Sequence, residues 1–101
     1  MEITLQYFDG CPNWKTTDSH LQALIDEGLD VSVHHKRIGS HQAAVRLGFR
    51  GSPTILIAGV DPFADREAPV GLACRIYRTE TGTAGSPTLT QLRDAITMRM
   101  P

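Results

Sequence analysis

The sequence lacks the features that mark nucleic-acid, membrane and exported proteins. Ten Lys and Arg residues are balanced by eleven Asp and Glu residues, giving a formal net charge of −1, so no basic excess favours nucleic acid or an anionic lipid surface. No apolar run approaches the roughly 20 residues that a membrane-spanning helix needs. The chain begins without the basic and apolar segments of a cleavable signal. These absences predict a cytoplasmic protein that binds neither nucleic acid nor membrane.

Cysteine is also scarce. The chain has two cysteines, Cys11 and Cys74, which are 63 positions apart. This is not the disulfide framework of a small secreted domain. At 101 residues the chain is long enough for one modest hydrophobic core and too short for two, and its apolar fraction of 41% is ordinary for a globular protein. The composition therefore predicts a single domain over residues 1–101.

Hydrophobic periodicity and turn residues predict an α/β protein with the element order β-α-β-α-β-β-α. The first two strands are joined by a helix, so they should pair in parallel through a right-handed crossover. The last two strands should form an antiparallel hairpin, because only the irregular loop 59–71 joins them. The predicted strands are 2–8, 30–38, 54–58 and 73–79, and the helices are 12–27, 40–48 and one that begins at Ser86 or Thr88.

Cys11 lies between a strand and a helix. It follows the breaker Asp9-Gly10 and precedes Pro12, which suits the first turn of a helix. Free backbone N–H groups and the helix dipole at such a position favour a thiolate over a thiol. The carboxylate of Asp9 opposes that effect. Cys11 is therefore either a reactive thiol or an inert cysteine packed at a helix start.

A second feature is Gly51-Ser52-Pro53-Thr54, just before an apolar run. A proline at a strand entrance has no N–H for the sheet ladder and belongs at a strand start or edge. Together with Cys11, this segment resembles the thioredoxin-like fold. In that fold a cysteine opens the first long helix, and a cis-proline loop lies against it. The resemblance implies a central four-stranded mixed sheet flanked by helices and a cis Ser52–Pro53 bond.

The segments FDGCPNW, GFRGSPTILIAGVDPFA and GLACRIYRT also look like small bacterial thioredoxin-family proteins, some of them loosely labelled alkylmercury-lyase-like. The family pattern is Cys-x-x-Cys, but this chain has Cys11-Pro12-Asn13-Trp14. Trp14 therefore stands where the resolving cysteine would be. The resemblance implies that Cys11 is the nucleophile. It also implies a substrate surface that consists of Pro12, Asn13, Trp14, Ser52, Pro53 and Thr54.

Without a resolving cysteine in the motif, the chain is predicted to act as a monothiol. A second thiol, from glutathione or a protein, would then release the mixed disulfide. Weak insulin reduction and no cofactor are expected. Arg50 is either a stabiliser of the Cys11 thiolate or a plain surface arginine. Trp14 either shields the sulfur or belongs to the core.

Cys74 is expected to play no part in this chemistry. Placed at the start of the last strand, it would lie about 15 Å from Cys11, whereas a disulfide needs Cα atoms within about 7 Å. The sequence therefore predicts that Cys74 is buried and unbridged. Cys11 is predicted to be partly exposed and the more reactive thiol.

Two other functions stay open at this point. A non-catalytic thioredoxin-like binding module, or a redox sensor, could use the same cis-proline groove. Soft-metal or mercurial binding through Cys11 is the weaker alternative, because the sequence offers only one well-placed sulfur as a ligand for such an ion. The histidines His20, His34, His35 and His41 lack the spacing of a metal clamp, so no metal site is expected.

Overall fold

The computed structural model describes residues 1–100, and Pro101 lies outside the described residues. The chain forms a mixed α/β structure. In chain order, the helices and strands are β1 Glu2–Tyr7, α1 Trp14–Asp26, β2 Ser32–Arg37, α2 His41–Leu47, β3 Thr54–Ile57, β4 Tyr77–Thr79, β5 Gly82–Ala84 and α3 Leu89–Thr97. Among these helices, none is long and apolar enough to cross a membrane.

β1 is the central strand of a three-stranded sheet with the order β2-β1-β3. It pairs in parallel with β2 and antiparallel with β3, so the predicted parallel pairing of the first two strands is confirmed. Ile3 lies opposite Ile57, and Leu5 lies opposite Ile55. All four side chains are fully buried, because alternate residues of each strand face the same side of the sheet.

Helices α1 and α3 cover this apolar side of the sheet. Leu21 and Leu24 of α1 and Leu92 and Ile96 of α3 are fully buried in the same cluster as the four sheet residues. Burial of each such side chain contributes about 1.5–3 kcal/mol. This packing fixes the start of α1 above the sheet and therefore sets the position of Cys11.

The helix boundaries follow from local capping, largely as the sequence predicts. The Ser40 hydroxyl accepts a hydrogen bond from the Ala43 N–H at 3.1 Å and begins α2, and Gly48, with φ of 66°, ends it. Thr88 and Gln91 form a capping box at the start of α3, so Thr88 rather than Ser86 is the cap. Ser86 instead shares a buried 2.6 Å hydrogen bond with the Thr17 hydroxyl.

The predicted four-stranded central sheet is wrong. The segment 73–79, predicted as one strand, divides into two parts with different partners. Cys74 forms an isolated parallel bridge with Ser52, whereas β4 pairs antiparallel with β5. The strand β5, Gly82–Ala84, is not among the predicted strands.

The path of the chain after β3 explains this difference. Ile57 and Val60 exchange backbone hydrogen bonds of 2.8 and 3.0 Å across a tight turn, which ends the short strand at once. Residues 61–72 then return along β3 to its start. The chain therefore passes Ser52 in the same direction as β3, and the pairing is parallel instead of a hairpin.

Candidate functional site

Cys11 and Cys74 form a disulfide bond, with their Cα atoms 5.7 Å apart. The expectation that these cysteines lie too far apart to bridge is therefore wrong. The predicted hairpin would place Cys74 at the far end of β3. The parallel bridge with Ser52 instead brings Cys74 to the start of β3, beside Cys11 in the turn before α1.

The two cysteines differ in exposure, and in the opposite sense to the prediction. Cys11 is 0% exposed, whereas Cys74 is exposed. The Cys11 N–H donates to the Phe8 carbonyl at 3.3 Å, which folds the turn that carries the sulfur inward. Cys74 projects from an irregular segment rather than from a buried strand. An external reagent therefore reaches the bridge from the Cys74 side.

The Ser52–Pro53 bond is cis, as the thioredoxin-like resemblance implies. Both residues are buried, and the Cys11 Sγ lies 3.6 Å from the Ser52 carbonyl oxygen. The cis-proline loop is thus in contact with the buried sulfur of the bridge. Thr54, the next residue, is also buried and donates its hydroxyl hydrogen to the Gly51 carbonyl at 2.7 Å.

The backbone edge of Ser52 is already occupied. Its N–H donates to the Ala73 carbonyl at 2.8 Å, and its carbonyl accepts from the Arg75 N–H at 2.9 Å. A Cβ on Gly51 would lie 3.0 Å from the Cβ of Arg75, so this close approach of two chain segments requires glycine, which also adopts φ of 120° here. The groove that the resemblance implies is therefore filled by the chain's own residues 73–75.

The remaining predicted surface residues are not gathered around one cavity. Pro12 is exposed, and the side chain of Asn13 fills the space above Gly85. Trp14 is half-buried and stacks on Tyr7 with ring centroids 4.3 Å apart. Its other neighbour is His35, edge-on at 5.5 Å. Trp14 is thus part of an aromatic cluster packed against the core.

Arg50 lies near the exposed sulfur of the bridge. Its guanidinium donates to the Ala68 carbonyl. It also lines a small groove that includes Cys74. This Cys74 groove has a volume of about 220 Å³ and is lined by Arg50, Asp65, Ala68, Pro69, Ala73, Cys74, Arg75 and Ile76. Arg50 therefore belongs to the surroundings of Cys74, whereas the sequence suggested a role at Cys11.

A buried ion pair joins the 73–77 segment to Asp61, and a tyrosine of the same segment joins it to the cis-proline loop. The Arg75 side chain is 5% exposed, and its guanidinium donates to Asp61 Oδ2 at 2.7 Å. The same guanidinium lies 4.6 Å from the centre of the Tyr77 ring, and the Tyr77 hydroxyl donates to the Pro53 carbonyl. Sequence reasoning missed this cluster, although an arginine between apolar residues in Cys74-Arg75-Ile76-Tyr77 is a signal for it.

Tyr77 should make stability depend on pH in the alkaline range. Burial raises the pKa of its phenol above the ordinary value of about 10, while Arg75 acts to lower this pKa and Asp61 to raise it. The folded chain thus keeps the Tyr77 phenol protonated at a pH where the unfolded chain loses the proton. The resulting stabilisation is fully present below about pH 10 and is lost as the pH rises further. Between about pH 8 and about pH 11, the free energy of unfolding measured in urea should fall more for wild type than for Tyr77→Phe.

The same variant should also lose about 1 kcal/mol at neutral pH, because the Pro53 carbonyl loses its donor. Other groups titrate equally in both proteins, so the difference between them isolates Tyr77. Parallel stability curves for wild type and Tyr77→Phe would contradict the assignment.

The histidines do not form a metal centre with one another. His35 Nε2 lies 2.7 Å from Asp18 Oδ1, and His34 Nε2 lies 3.7 Å from Glu2 Oε1. The two neighbours thus have separate carboxylate partners. Within residues 1–100, no group of three or more His, Cys, Asp or Glu side chains is arranged to hold a metal ion.

Comparison of the chain with models of protein families, with curated proteins and with solved structures finds no match. The function of the chain is therefore inferred from the chemistry of the site itself. The resemblance to the thioredoxin-like fold stays a prediction from the residues.

Proposed function

We propose that this chain is a thioredoxin-like thiol–disulfide exchange protein in which Cys11 and Cys74 are the redox pair. The observation that carries the proposal is a disulfide between one exposed and one fully buried cysteine, the buried one lying just before a helix. Such an asymmetric bridge offers a single sulfur to an incoming thiol. The order β2-β1-β3, with one parallel and one antiparallel pairing, supports the fold assignment.

The exchange reaction would begin at Cys74. A substrate thiolate attacks Cys74 Sγ, a sulfur–sulfur bond forms between substrate and Cys74, and the Cys11–Cys74 bond breaks with its electron pair on Cys11. The start of α1 supports negative charge on Cys11, whereas burial and the nearby Ser52 carbonyl oppose it. These effects act in opposite directions on a Cys11 thiolate. The exposure of Cys74 therefore decides which sulfur an external thiolate attacks.

This mechanism replaces the monothiol hypothesis. That hypothesis assumed that Cys74 cannot reach Cys11, and the bridge removes the assumption. In the reductive direction, the Cys74 thiolate attacks a substrate disulfide, and Cys11 then attacks Cys74 to release the reduced substrate. Both thiols come from this chain, although Cys74 lies far outside the Cys-x-x-Cys spacing that begins at Cys11.

The first test is insulin reduction with dithiothreitol as the terminal reductant. Wild type should shorten the lag before precipitation relative to the double variant Cys11→Ser/Cys74→Ser, because only wild type offers a dithiol. Circular dichroism of both proteins verifies that they are folded. If wild type is no faster than the double variant, although dithiothreitol reduces the bridge, the disulfide is structural and the proposal fails.

The other functions are affected by the same geometry. A binding module that uses the cis-proline groove has no free Ser52 edge, because Ala73 and Arg75 occupy it.

Soft-metal binding is favoured by one observation, since reduction would leave two sulfurs on residues whose Cα atoms are 5.7 Å apart. Titration of the reduced protein with a mercuric salt measures this. Tight binding at one ion per chain that either single Cys→Ser change weakens would support a two-sulfur site.

A further inference from the structure

The segment that carries Cys74 has one paired and one free backbone edge. The Ala73 carbonyl and the Arg75 N–H point toward Ser52 and are hydrogen-bonded to it. In an extended chain, the next residues direct their backbone groups the opposite way. Those of Cys74 and Ile76 therefore point outward. Within residues 1–100, they have no hydrogen-bond partner.

The side chains beside this edge are unusual for a surface. Ile76 is 75% exposed, two positions from the exposed sulfur. The Cys74 groove, with Ala68 and Pro69 in its lining, lies next to both residues. The reactive sulfur, a row of unpaired backbone groups and an exposed apolar side chain thus occur together.

Two routes would bring a polypeptide substrate to the Cys11–Cys74 disulfide. The substrate could displace residues 73–75 and pair with Ser52, or it could pair with the outer edge. Displacement would break the two backbone bonds to Ser52 and pull Arg75 away from Asp61. Removal of one partner from a buried ion pair is strongly unfavourable, and the Tyr77–Pro53 hydrogen bond would be strained as well. The outer edge requires none of these losses.

We propose that the substrate is an extended, cysteine-containing polypeptide segment that adds as a strand to the outer edge of residues 74–76. This inference rests on the proposed exchange chemistry. Backbone pairing with Cys74 and Ile76 would align the segment, and an apolar substrate side chain would lie against Ile76 and the Cys74 groove. A small thiol such as glutathione reaches the sulfur but is too short to use the whole edge.

The redox step is balanced within this complex. The substrate thiolate bonds to Cys74 Sγ, and Cys11 leaves as a thiolate that takes up a proton. A second substrate thiolate then attacks the substrate sulfur of the mixed disulfide and releases Cys74 as a thiol after protonation. Two substrate thiols become one substrate disulfide, and the protein disulfide becomes a dithiol.

The test uses oxidised wild-type protein and a set of cysteine peptides in which each backbone N–H in turn is N-methylated. The rate of bridge opening is followed by mass spectrometry after acid quenching. If the peptide adds as a strand, every second N–H faces the edge. Methylation at those positions should slow the reaction by about threefold to tenfold per hydrogen bond lost. Methylation at the intervening positions is the matched control and should change little.

A second arm uses the protein variants Ile76→Pro and Ile76→Ala. Proline removes the outward N–H of residue 76, so peptide attack should slow by about threefold to tenfold relative to Ile76→Ala, which keeps that N–H. Opening of the bridge by glutathione should be the same in both variants, and equal urea midpoints verify their folds.

The outcomes separate the two proposals. If methylation effects do not alternate, or if peptide and glutathione are affected alike by Ile76→Pro, the edge is not a docking site although exchange still occurs. If neither peptide nor glutathione opens the bridge in folded wild type, the exchange function itself is wrong.

Discussion

The Cys74→Ser variant is expected to react with an external disulfide reagent roughly 100-fold or more slowly than the Cys11→Ser variant. The reason is access. The thiol left in Cys74→Ser is 0% exposed in the folded chain, while the thiol left in Cys11→Ser is exposed. The measurement is the pseudo-first-order rate with a chromogenic aromatic disulfide at neutral pH.

The control is the same reaction in denaturant, where both variants should react at similar rates because the fold no longer protects either sulfur. Equal rates in the folded proteins would contradict the access argument, and a faster reaction of Cys74→Ser would reverse the roles of the two cysteines. The sequence-based assignment of Cys11 as the attacking thiol would then be right, and the access argument would be wrong.

Replacement of Arg75 by methionine is expected to lower the free energy of unfolding by about 3–5 kcal/mol. The Arg75 side chain is 5% exposed and that of Asp61 is 20% exposed, so the variant leaves the Asp61 carboxylate largely out of water without its cationic partner. Tyr77 also loses the cation above its ring. Urea unfolding, followed by the fluorescence of the single tryptophan, gives the difference.

Arg93→Met is the matched control. Arg93 also binds a carboxylate, with its guanidinium 2.8 Å from Glu27 Oε2, but both side chains are substantially exposed. Exposed ion pairs contribute little, so this variant should have nearly the wild-type midpoint. A double variant Arg75→Met/Asp61→Leu should regain part of the loss, because it removes the unpaired charge. Similar midpoints for the two single variants would show that the Arg75 pair does not anchor the segment.

Features that depend on neighbouring residues were predictable from the sequence. Ser40 and Thr88 begin their helices because their hydroxyls accept hydrogen bonds from backbone N–H groups three residues on. The alternation around Ile3 and Leu5 identifies the buried side of β1. The cis bond before Pro53 followed from the resemblance that Gly51-Ser52-Pro53-Thr54 and Cys11 carry. Each of these signals lies within a few positions of the residue that it describes.

The candidate site was predicted only in its first half. Cys11 and the cis-proline loop come from segments with their own local signals. The bridge to Cys74, its exposure and the anchor between Arg75 and Asp61 depend on how residues 61–72 cross the molecule. Local propensity does not distinguish a hairpin from a return to the start of β3, because both need only an extended segment after a loop.

Local sequence signals define the Ser40 cap of α2, the buried side of β1 and the positions of the strands that form the three-stranded sheet. The fold decides which end of β3 residues 73–75 reach, and therefore whether Cys74 meets Cys11. The physical reason is that this pairing is a choice between long-range contacts. The Tyr77–Pro53 hydrogen bond and the Arg75–Asp61 ion pair favour the parallel arrangement, and both form only once the fold brings these residues together.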